Sequence, residues 1–168
     1  YFKVDITGTT FLALATNDYL VSDLTTSFVA AFILITLVMI ILFKSISITL
    51  ISIIPNTIPM LAMAAIMGYF DIILRPPTAM TFAVAFGIAV DDTIHYLTRY
   101  RMELPGHKWH YRMANDKTIM TTGLAMITTT GILVTGFLIL VFSSFTPTAD
   151  FGLLAALTIF IALICDLT

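Results

Sequence analysis

Two adjacent carboxylates, Asp91 and Asp92, interrupt an otherwise apolar stretch, and His95 follows four residues after the first. On a helix, Asp91 and His95 lie on the same face, whereas Asp92 is rotated from Asp91 by about 100°. A charged side chain at the centre of a membrane helix costs about 2.5–3.5 kcal/mol, so such residues usually serve a function. Burial disfavours the charged form of a carboxyl, and neighbouring carboxylates repel. The pair is therefore predicted to bind and release a proton.

Three consecutive threonines, Thr128, Thr129 and Thr130, lie in a later apolar stretch and are candidate partners of the acids. Hydroxyls on a helix can form hydrogen bonds with a neighbouring helix. They can equally donate to carbonyls four residues earlier in their own helix. Both arrangements are compatible with the sequence. His95 is likewise expected either to extend a proton relay or to form a hydrogen bond near the inner membrane interface.

Small residues precede the acids at regular spacing. Ala79, Ala83 and Gly87 lead to Asp91 in steps of four, and Gly131 lies in a similar stripe next to the threonines. Small residues at this spacing let two helices approach closely. We therefore expect Ala79, Ala83, Gly87 and Gly131 to form a helix–helix contact that holds the acids between two crossing helices.

The composition places these residues in a membrane. Of the 168 residues, 59% are apolar and 11% charged, compared with roughly 45–50% and about 25% in soluble domains. This apolar excess excludes a soluble enzyme and a disordered segment. The net charge of −2 gives no basis for nucleic-acid binding. The single cysteine, Cys165, excludes a disulfide framework and a cysteine-based zinc site, and no cofactor is expected.

Five stretches are long and apolar enough to cross a membrane, since about 20 helical residues span about 30 Å of hydrocarbon. They cover residues 24–43, 48–70, 78–98, 118–142 and 148–167. The predicted fold is all-α, a polytopic transmembrane helix bundle with five membrane spans over residues 24–168. Residues 1–23 are expected to be an exterior lead-in from a soluble domain. The start at Tyr1 and the end inside an apolar run predict a piece of a longer polypeptide.

Basic residues predict the orientation, because cytoplasmic loops are enriched in Lys and Arg. One side of the predicted bundle carries six of them, Lys44, Arg99, Arg101, Lys108, Arg112 and Lys117, and the other carries two, Lys3 and Arg75. The first side is therefore predicted to be cytoplasmic. The N-terminus is then exterior and the C-terminus cytoplasmic, in a cell membrane that we expect to be a bacterial inner membrane.

The polar segment 99–117 is predicted to be a cytoplasmic loop at the membrane interface. It places Trp109 among basic residues, a combination that favours the headgroup zone. His107 and His110 have a spacing that is compatible with a metal ion. No third ligand is evident in the sequence, so no metal site is predicted.

Other polar residues in the apolar stretches carry weaker signals. Asp150 and Asp166 lie at the two ends of the fifth span, where we expect water or headgroups to reach them. The second span contains Asn56 between Pro55 and Pro59. Proline in a membrane helix usually only kinks it, so no function is assigned to this segment.

The segment Phe86–Leu97, FGIAVDDTIHYL, resembles the fourth or tenth helix of resistance–nodulation–division (RND) transporters. Within these transporters it most resembles the branch of lipid and hydrophobe exporters, which is grouped with the mycobacterial large membrane proteins (MMPL) and sterol-sensing-domain proteins. The segment TGTTFLALATNDYLVSDLTTSF resembles the approach to the second helix of a repeat. The fourth span and SSFTPTADFGLLAALTIFIALICDL resemble the last two helices. The chain, over about residues 5–168, is thus similar to helices two to six of one repeat.

This resemblance implies a proton-motive-force-driven exporter of hydrophobic or lipid-like molecules, and no enzyme activity. Family members carry the coupling proton on acids that match Asp91 and Asp92. A fifth-helix threonine, within Thr128–Thr130, assists, and His95 matches a histidine frequent in this branch. The implied partners are protons, membrane lipids, a lipid-like substrate and the rest of the parent polypeptide with its other repeat and exterior domains. A homo-oligomer is also compatible with the resemblance.

Two other functions fit parts of the pattern. Sterol-sensing domains have five helices in this arrangement, and a lipid-binding or sensor module would need no proton chemistry. Intramembrane aspartyl proteases use two acids that share a proton, but these come from two different helices, whereas Asp91 and Asp92 share one. Dependence of lipid binding or transport on the protonation of the acids distinguishes the exporter from the sensor, and peptidase activity that depends on Asp91 would indicate the protease.

Overall fold

The computed structural model describes residues 9–106 and 110–167. Within this part of the chain every regular element is a helix. The helices are α1 (Thr9–Phe43), α2 (Ile46–Tyr69), α3 (Pro76–Gly106), α4 (Tyr111–Thr118), α5 (Leu124–Ile139) and α6 (Thr146–Leu167). A π-helical turn, Ile119–Gly123, joins α4 to α5, and a 3₁₀ turn, Leu140–Phe142, extends α5. The helix from α4 to the 3₁₀ turn is therefore continuous.

Four of the helical stretches are long and apolar enough to cross a membrane. They are Tyr19–Phe43, Ile46–Tyr69, Tyr111–Phe142 and Thr146–Leu167. The all-α, multi-pass membrane architecture predicted from the sequence is confirmed. The fifth predicted span, in α3, does not meet the same criterion, because the polar side chains of Asp91, Asp92 and His95 lie within it.

The short connections form where the sequence predicts them. Lys44 ends α1 in the left-handed region, with φ 48°, and Ser45 caps α2 by accepting a hydrogen bond from the backbone N–H of Ile48 at 3.4 Å. Asp71, with φ 52°, follows the end of α2. Arg101 donates a hydrogen bond to the carbonyl of Phe43 at 2.9 Å, so a cation covers the C-terminal end of α1.

Two helices extend beyond the predicted spans. The helix α1 begins at Thr9, so the described part of segment 1–23 is helical and continuous with the first span. The helix α3 continues to Gly106, and α4 begins at Tyr111, so most of segment 99–117 is helix and not loop. The low hydropathy of this segment indicates that it is exposed to water, but it does not determine the conformation of the backbone. Indeed, Arg99 and Glu103 form an ion pair four residues apart at 2.6 Å, which supports a helix.

The helix α6 lies at the centre of the bundle and packs against α2, α3 and α5. Most of its buried side chains are small or β-branched. At Gly152, an added Cβ would lie 2.6 Å from the Leu140 Cβ and 2.6 Å from the Phe137 carbonyl oxygen. The close approach between α5 and α6 therefore requires glycine. On the other side of the bundle, Phe28 and Phe32 of α1 pack against Phe86 of α3, with ring centroids 5.6 and 5.0 Å apart.

The predicted contact of small residues does not form among the described helices, and it stays a prediction for a longer protein. Ala79 is buried, but Ala83, Gly87 and Gly131 are exposed, and no described neighbour lies within 4 Å of a Cβ added at either glycine. Each step of four residues turns about 40° past a full helical turn. The stripe that starts at Ala79, at the edge of the buried face, therefore turns away from that face.

The helix α3 thus has two faces of different character. The buried face follows a stripe that turns across the packed side and comprises Thr81, Ala85, Ala89 and Thr93. The open face comprises Ala83, Gly87, Asp91 and His95, all of which are exposed. The acid-bearing stripe is therefore the one that the described helices leave uncovered.

Candidate functional site

The predicted acids line a groove of about 650 Å³ between α3 and the continuous helix that contains α4 and α5. The residues that line it are Ile88, Asp91, Asp92, His95, Arg99, Thr121, Thr122, Ala125, Met126, Thr129 and Leu133. Its walls combine apolar side chains with the carboxyl, imidazole and hydroxyl groups singled out in the sequence. The fold therefore places Asp91, Asp92, His95 and Thr129 at one site.

Asp91 and His95 lie on the same face of α3, as their spacing of four residues predicts, and Asp92 is turned away from them. The side chain of Asp91 is 70% exposed, and its Oδ1 lies 3.5 Å from Nε2 of His95, whose side chain is 68% exposed. Asp92 is half-buried, because its rotation around the helix turns it towards the neighbouring helix. The two acids differ in environment, and Asp91 is the one in contact with an imidazole that can accept or donate a proton.

The three candidate threonines have three different environments. Thr128 is exposed, lies outside the lining of the groove and donates to the Leu124 carbonyl at 2.9 Å. Thr129 lines the groove, but its hydroxyl is directed to the carbonyls of its own helix at 3.0–3.1 Å. Thr130 is buried and interacts with Asp92 across the two helices, although its hydroxyl forms no hydrogen bond within the described chain.

The groove becomes more polar towards one end of α3. Asp91, His95 and Arg99 follow one another at intervals of one helical turn, and all three line the groove. From Ile88 to Arg99 the helix rises about 16 Å. The groove therefore connects the middle of α3 with the basic segment that the sequence assigns to the cytoplasmic side. Such a row of ionisable groups is suited to moving a proton along the helix.

A second polar cluster, which the sequence analysis missed, lies on the buried face of α3. The Thr93 hydroxyl oxygen lies 2.7 Å from Oδ1 of Asp166 and accepts a hydrogen bond from Asn56 Nδ2 at 3.0 Å. We call Asn56, Thr93 and Asp166 the inner cluster; it joins α2, α3 and α6. Oδ2 of Asp166 is buried, so the expectation that water or headgroups reach this carboxyl at the helix end is wrong for that oxygen.

The available signal for the inner cluster was the presence of an amide, a hydroxyl and a carboxyl in three apolar helices. Their spacing along the sequence could not predict this contact, because they come from three helices that are distant in the chain. Pro55 and Pro59 also favoured the interpretation that this part of α2 is only a kink, and no role was assigned to Asn56 for that reason. In the structure, α2 continues through both prolines.

The described part of the chain gives no metal site. No group of three or more His, Cys, Asp or Glu side chains within residues 9–106 and 110–167 is arranged to hold a metal ion. The alternative pairing of His107 with His110 depends on a residue outside the described part of the chain, as do the contributions of Lys3, Lys108 and Trp109 to orientation and anchoring.

Comparisons with known proteins place the chain in a wider context. Residues 2–168 match the model of the MMPL family. A protein of Methanocaldococcus jannaschii, whose name describes a membrane protein, is 29% identical over 136 residues, which cover 79% of this chain and 34% of the relative. The chain thus spans about a third of the length of this curated relative. No solved structure matches the chain.

Proposed function

The chain belongs to the MMPL family, and on that premise we propose that it forms part of the membrane domain of a proton-driven exporter of hydrophobic or lipid-like molecules. In this proposal, residues 24–168 cross the membrane five times and correspond to helices two to six of one RND-type repeat. The N-terminus is exterior and the C-terminus is cytoplasmic. Residues 1–23 lead in from an exterior domain.

The packing of α3 supports its role as the fifth span. It lies between α1 and α6, both of which contain stretches apolar enough to cross a membrane. A helix packed along two spans occupies the same layer of the membrane. Its lower hydropathy then reflects the polar residues required at a functional site, which is the usual reason for ionisable groups within a membrane.

The observation that carries the proposal is the position of Asp91 and Asp92 on a groove shared with His95. Protonation neutralises the acids and removes the cost of their charge, which favours closer packing around α3. Release of the proton restores the charge and the repulsion. One proton that crosses the full potential supplies roughly 2.3 kcal/mol per 100 mV. That energy drives transport only if the two packing states bind the proton with different affinity.

The open face of α3 supports a further part of the proposal, namely that another helical repeat of a longer protein covers the acids. Ala83 and Gly87 have small side chains, and no described neighbour lies within 4 Å of a Cβ added at Gly87. Small residues permit a close approach of helices. Because the chain corresponds to 34% of its relative, a longer protein has ample sequence for a second repeat. A second copy of the chain would be the alternative cover.

A second candidate function is a lipid-binding or sensor module of the sterol-sensing type. A cavity of about 610 Å³ between α2, α3 and α6 favours it, because its walls are mostly apolar. Cavities of this size and character hold small ligands. Binding of a sterol probe that does not change with the protonation of Asp91 and Asp92 would support this candidate over the exporter.

The proposed function is tested in the full-length protein, reconstituted in vesicles that contain a fluorescent phospholipid probe. We expect an imposed proton gradient to drive movement of the probe in the native protein, and Asp91→Asn/Asp92→Asn to abolish that movement while folding is retained. Asp71→Asn is the matched control, because this exposed acid lies in the turn before α3 and asparagine tolerates its left-handed backbone. Undiminished proton-driven movement in the double variant would refute the proposal.

A further inference from the structure

The Thr93 hydroxyl connects the other two residues of the inner cluster, and it lies near more hydrogen-bond acceptors than its single proton can bind. Its oxygen lies 2.7 Å from Oδ1 of Asp166 and 3.1 Å from the Ala89 carbonyl oxygen. A hydroxyl has one proton to donate, so it serves one of these two acceptors at a time. Asn56 Nδ2 already donates to the Thr93 oxygen, and it also lies 2.8 Å from the Ser52 carbonyl oxygen.

Two further acceptors in the cluster have no donor among the described residues. Oδ1 of Asn56 and Oδ2 of Asp166 are buried, and neither has a hydrogen-bond partner in the described chain. Asn56 is only 1% exposed. A buried acceptor without a donor costs about 1–3 kcal/mol, and more when it is charged. The cluster thus lacks donors, and a proton on the Asp166 carboxyl would both supply one and remove the buried charge.

The ionisable surroundings of Asp166 are sparse. On α3, Asp92 acts on it electrostatically, and Tyr96 lines the same cavity. On α6 itself, Cys165 is the neighbour. The helix α2 has only Tyr69 as an ionisable residue, at its opposite end, and α5 has none. Among the described residues, Asp92 is the charged group that acts on Asp166, and no cation acts on it in the same way.

A route for the proton is present. The 610 Å³ cavity is lined by Thr93 and Asp166 and also by Ser52 and Tyr96, so the carboxyl borders open space near the C-terminal end of α6, the end that the sequence assigns to the cytoplasmic side. Asp92 precedes Thr93 in the sequence, but the two side chains leave α3 in different directions. The groove and the inner cluster therefore lie on two sides of the same helical turn.

We propose that Asp166 is a further proton-binding residue of this protein and that its protonated form fastens α6 to α2 and α3 through Thr93 and Asn56. The proton enters from water in the cavity, binds the Asp166 carboxyl and leaves by the same route. Because Asp92 and Asp166 repel when both are charged, occupancy of one site is coupled to occupancy of the other. As part of a transport cycle, this coupling rests on the function proposed above, but proton binding by Asp166 does not.

The test is infrared difference spectroscopy of the full-length protein in lipid bilayers, recorded while the pH of the surrounding buffer is changed. The C=O stretch of a protonated carboxyl reports each titrating acid separately from its effect on transport. We expect Asp166→Asn to remove one such band that the native protein shows. Asp150→Asn, a matched change at the other end of α6, is expected to leave that band in place.

Three more variants separate the Asp166 band from other changes in the spectrum. Thr93→Val retains Asp166 but removes its hydrogen-bond partner, so the Asp166 band should shift in frequency, whereas Thr93→Ser should restore it. In Asp91→Asn/Asp92→Asn the Asp166 band should persist, with a changed pH midpoint, even if the acids of the groove turn out not to drive transport. A spectrum of Asp166→Asn identical to the native one, or a band that responds to sodium and not to pH, would overturn the proposal.

Discussion

The two sides of α3 show how one membrane helix separates binding from packing. On its buried face, Thr93 is enclosed by α2 and α6 and connects polar groups of both. On its open face, Asp91 and His95 are largely exposed and border a groove. The inner side holds helices together through short hydrogen bonds, while the open side keeps ionisable groups accessible. We therefore expect substitutions on the inner side of the bundle to reduce its stability. Substitutions on the open side should leave stability nearly unchanged and reduce proton transport.

The largest expected difference in stability concerns added volume. Gly152→Ala, on the inner side, places a Cβ against the Phe137 carbonyl, which cannot move away as a side chain would, so we expect destabilisation by about 1–3 kcal/mol. Gly131→Ala, on the exposed surface of α5, meets no described neighbour and should stabilise the helix by up to about 1 kcal/mol. Unfolding of the full-length protein in a detergent titration measures both. Equal changes in stability for the two variants would contradict the distinction between packed and exposed surfaces of the bundle.

A smaller difference is expected for single hydroxyl groups. Thr93→Val leaves Asn56 and Asp166 without their shared partner and should cost about 1–2 kcal/mol. Thr128→Val is the matched control, because the Thr128 hydroxyl bonds only to its own helix within the described chain, and its loss should change stability by less than about 0.5 kcal/mol. The same unfolding titration decides. If Thr128→Val lowers the free energy of unfolding as much as Thr93→Val does, the inner cluster does not stabilise the contact between helices more than an ordinary hydrogen bond within one helix.

The smallest effect on stability is expected at His95. Its contact with Asp91 is exposed and joins residues four apart, and such pairs contribute about 0.3–0.5 kcal/mol. His95→Gln should thus leave unfolding almost unchanged. If His95 relays protons, the variant should nevertheless slow proton flux at neutral pH. Unaltered flux would assign His95 a hydrogen-bonding role only, and strong destabilisation would contradict its placement on the open side.

The helices and their short connections could be predicted from the sequence, because runs of about 20 apolar residues have one stable conformation in lipid. The relation between Asp91 and His95 also followed, since it depends only on helical geometry. By contrast, the stripe of Ala83 and Gly87 gave no indication of which face neighbouring helices would cover. That choice depends on the whole bundle and on the central position of α6, where Gly152 provides the close contact.

The inner cluster was missed for a related reason. Its members, Asn56, Thr93 and Asp166, are single polar residues in three separate helices, and no local pattern relates them. The charged residues after Thr98 predict a loop, but α3 continues to Gly106, because no Pro or Gly lies between Thr98 and Pro105. In a membrane protein, loss of hydropathy marks the edge of the lipid and not the end of a helix.

The most direct test of the central claim, that Asp91 and Asp92 form the proton site of this helix bundle, is proton flux itself. The full-length protein is reconstituted in vesicles with a pH-sensitive dye inside, and a potassium diffusion potential is imposed. We predict flux in the native protein and in Asp71→Asn, and none above that of protein-free vesicles in Asp91→Asn/Asp92→Asn. Flux in the folded double variant equal to that of the native protein would contradict the account.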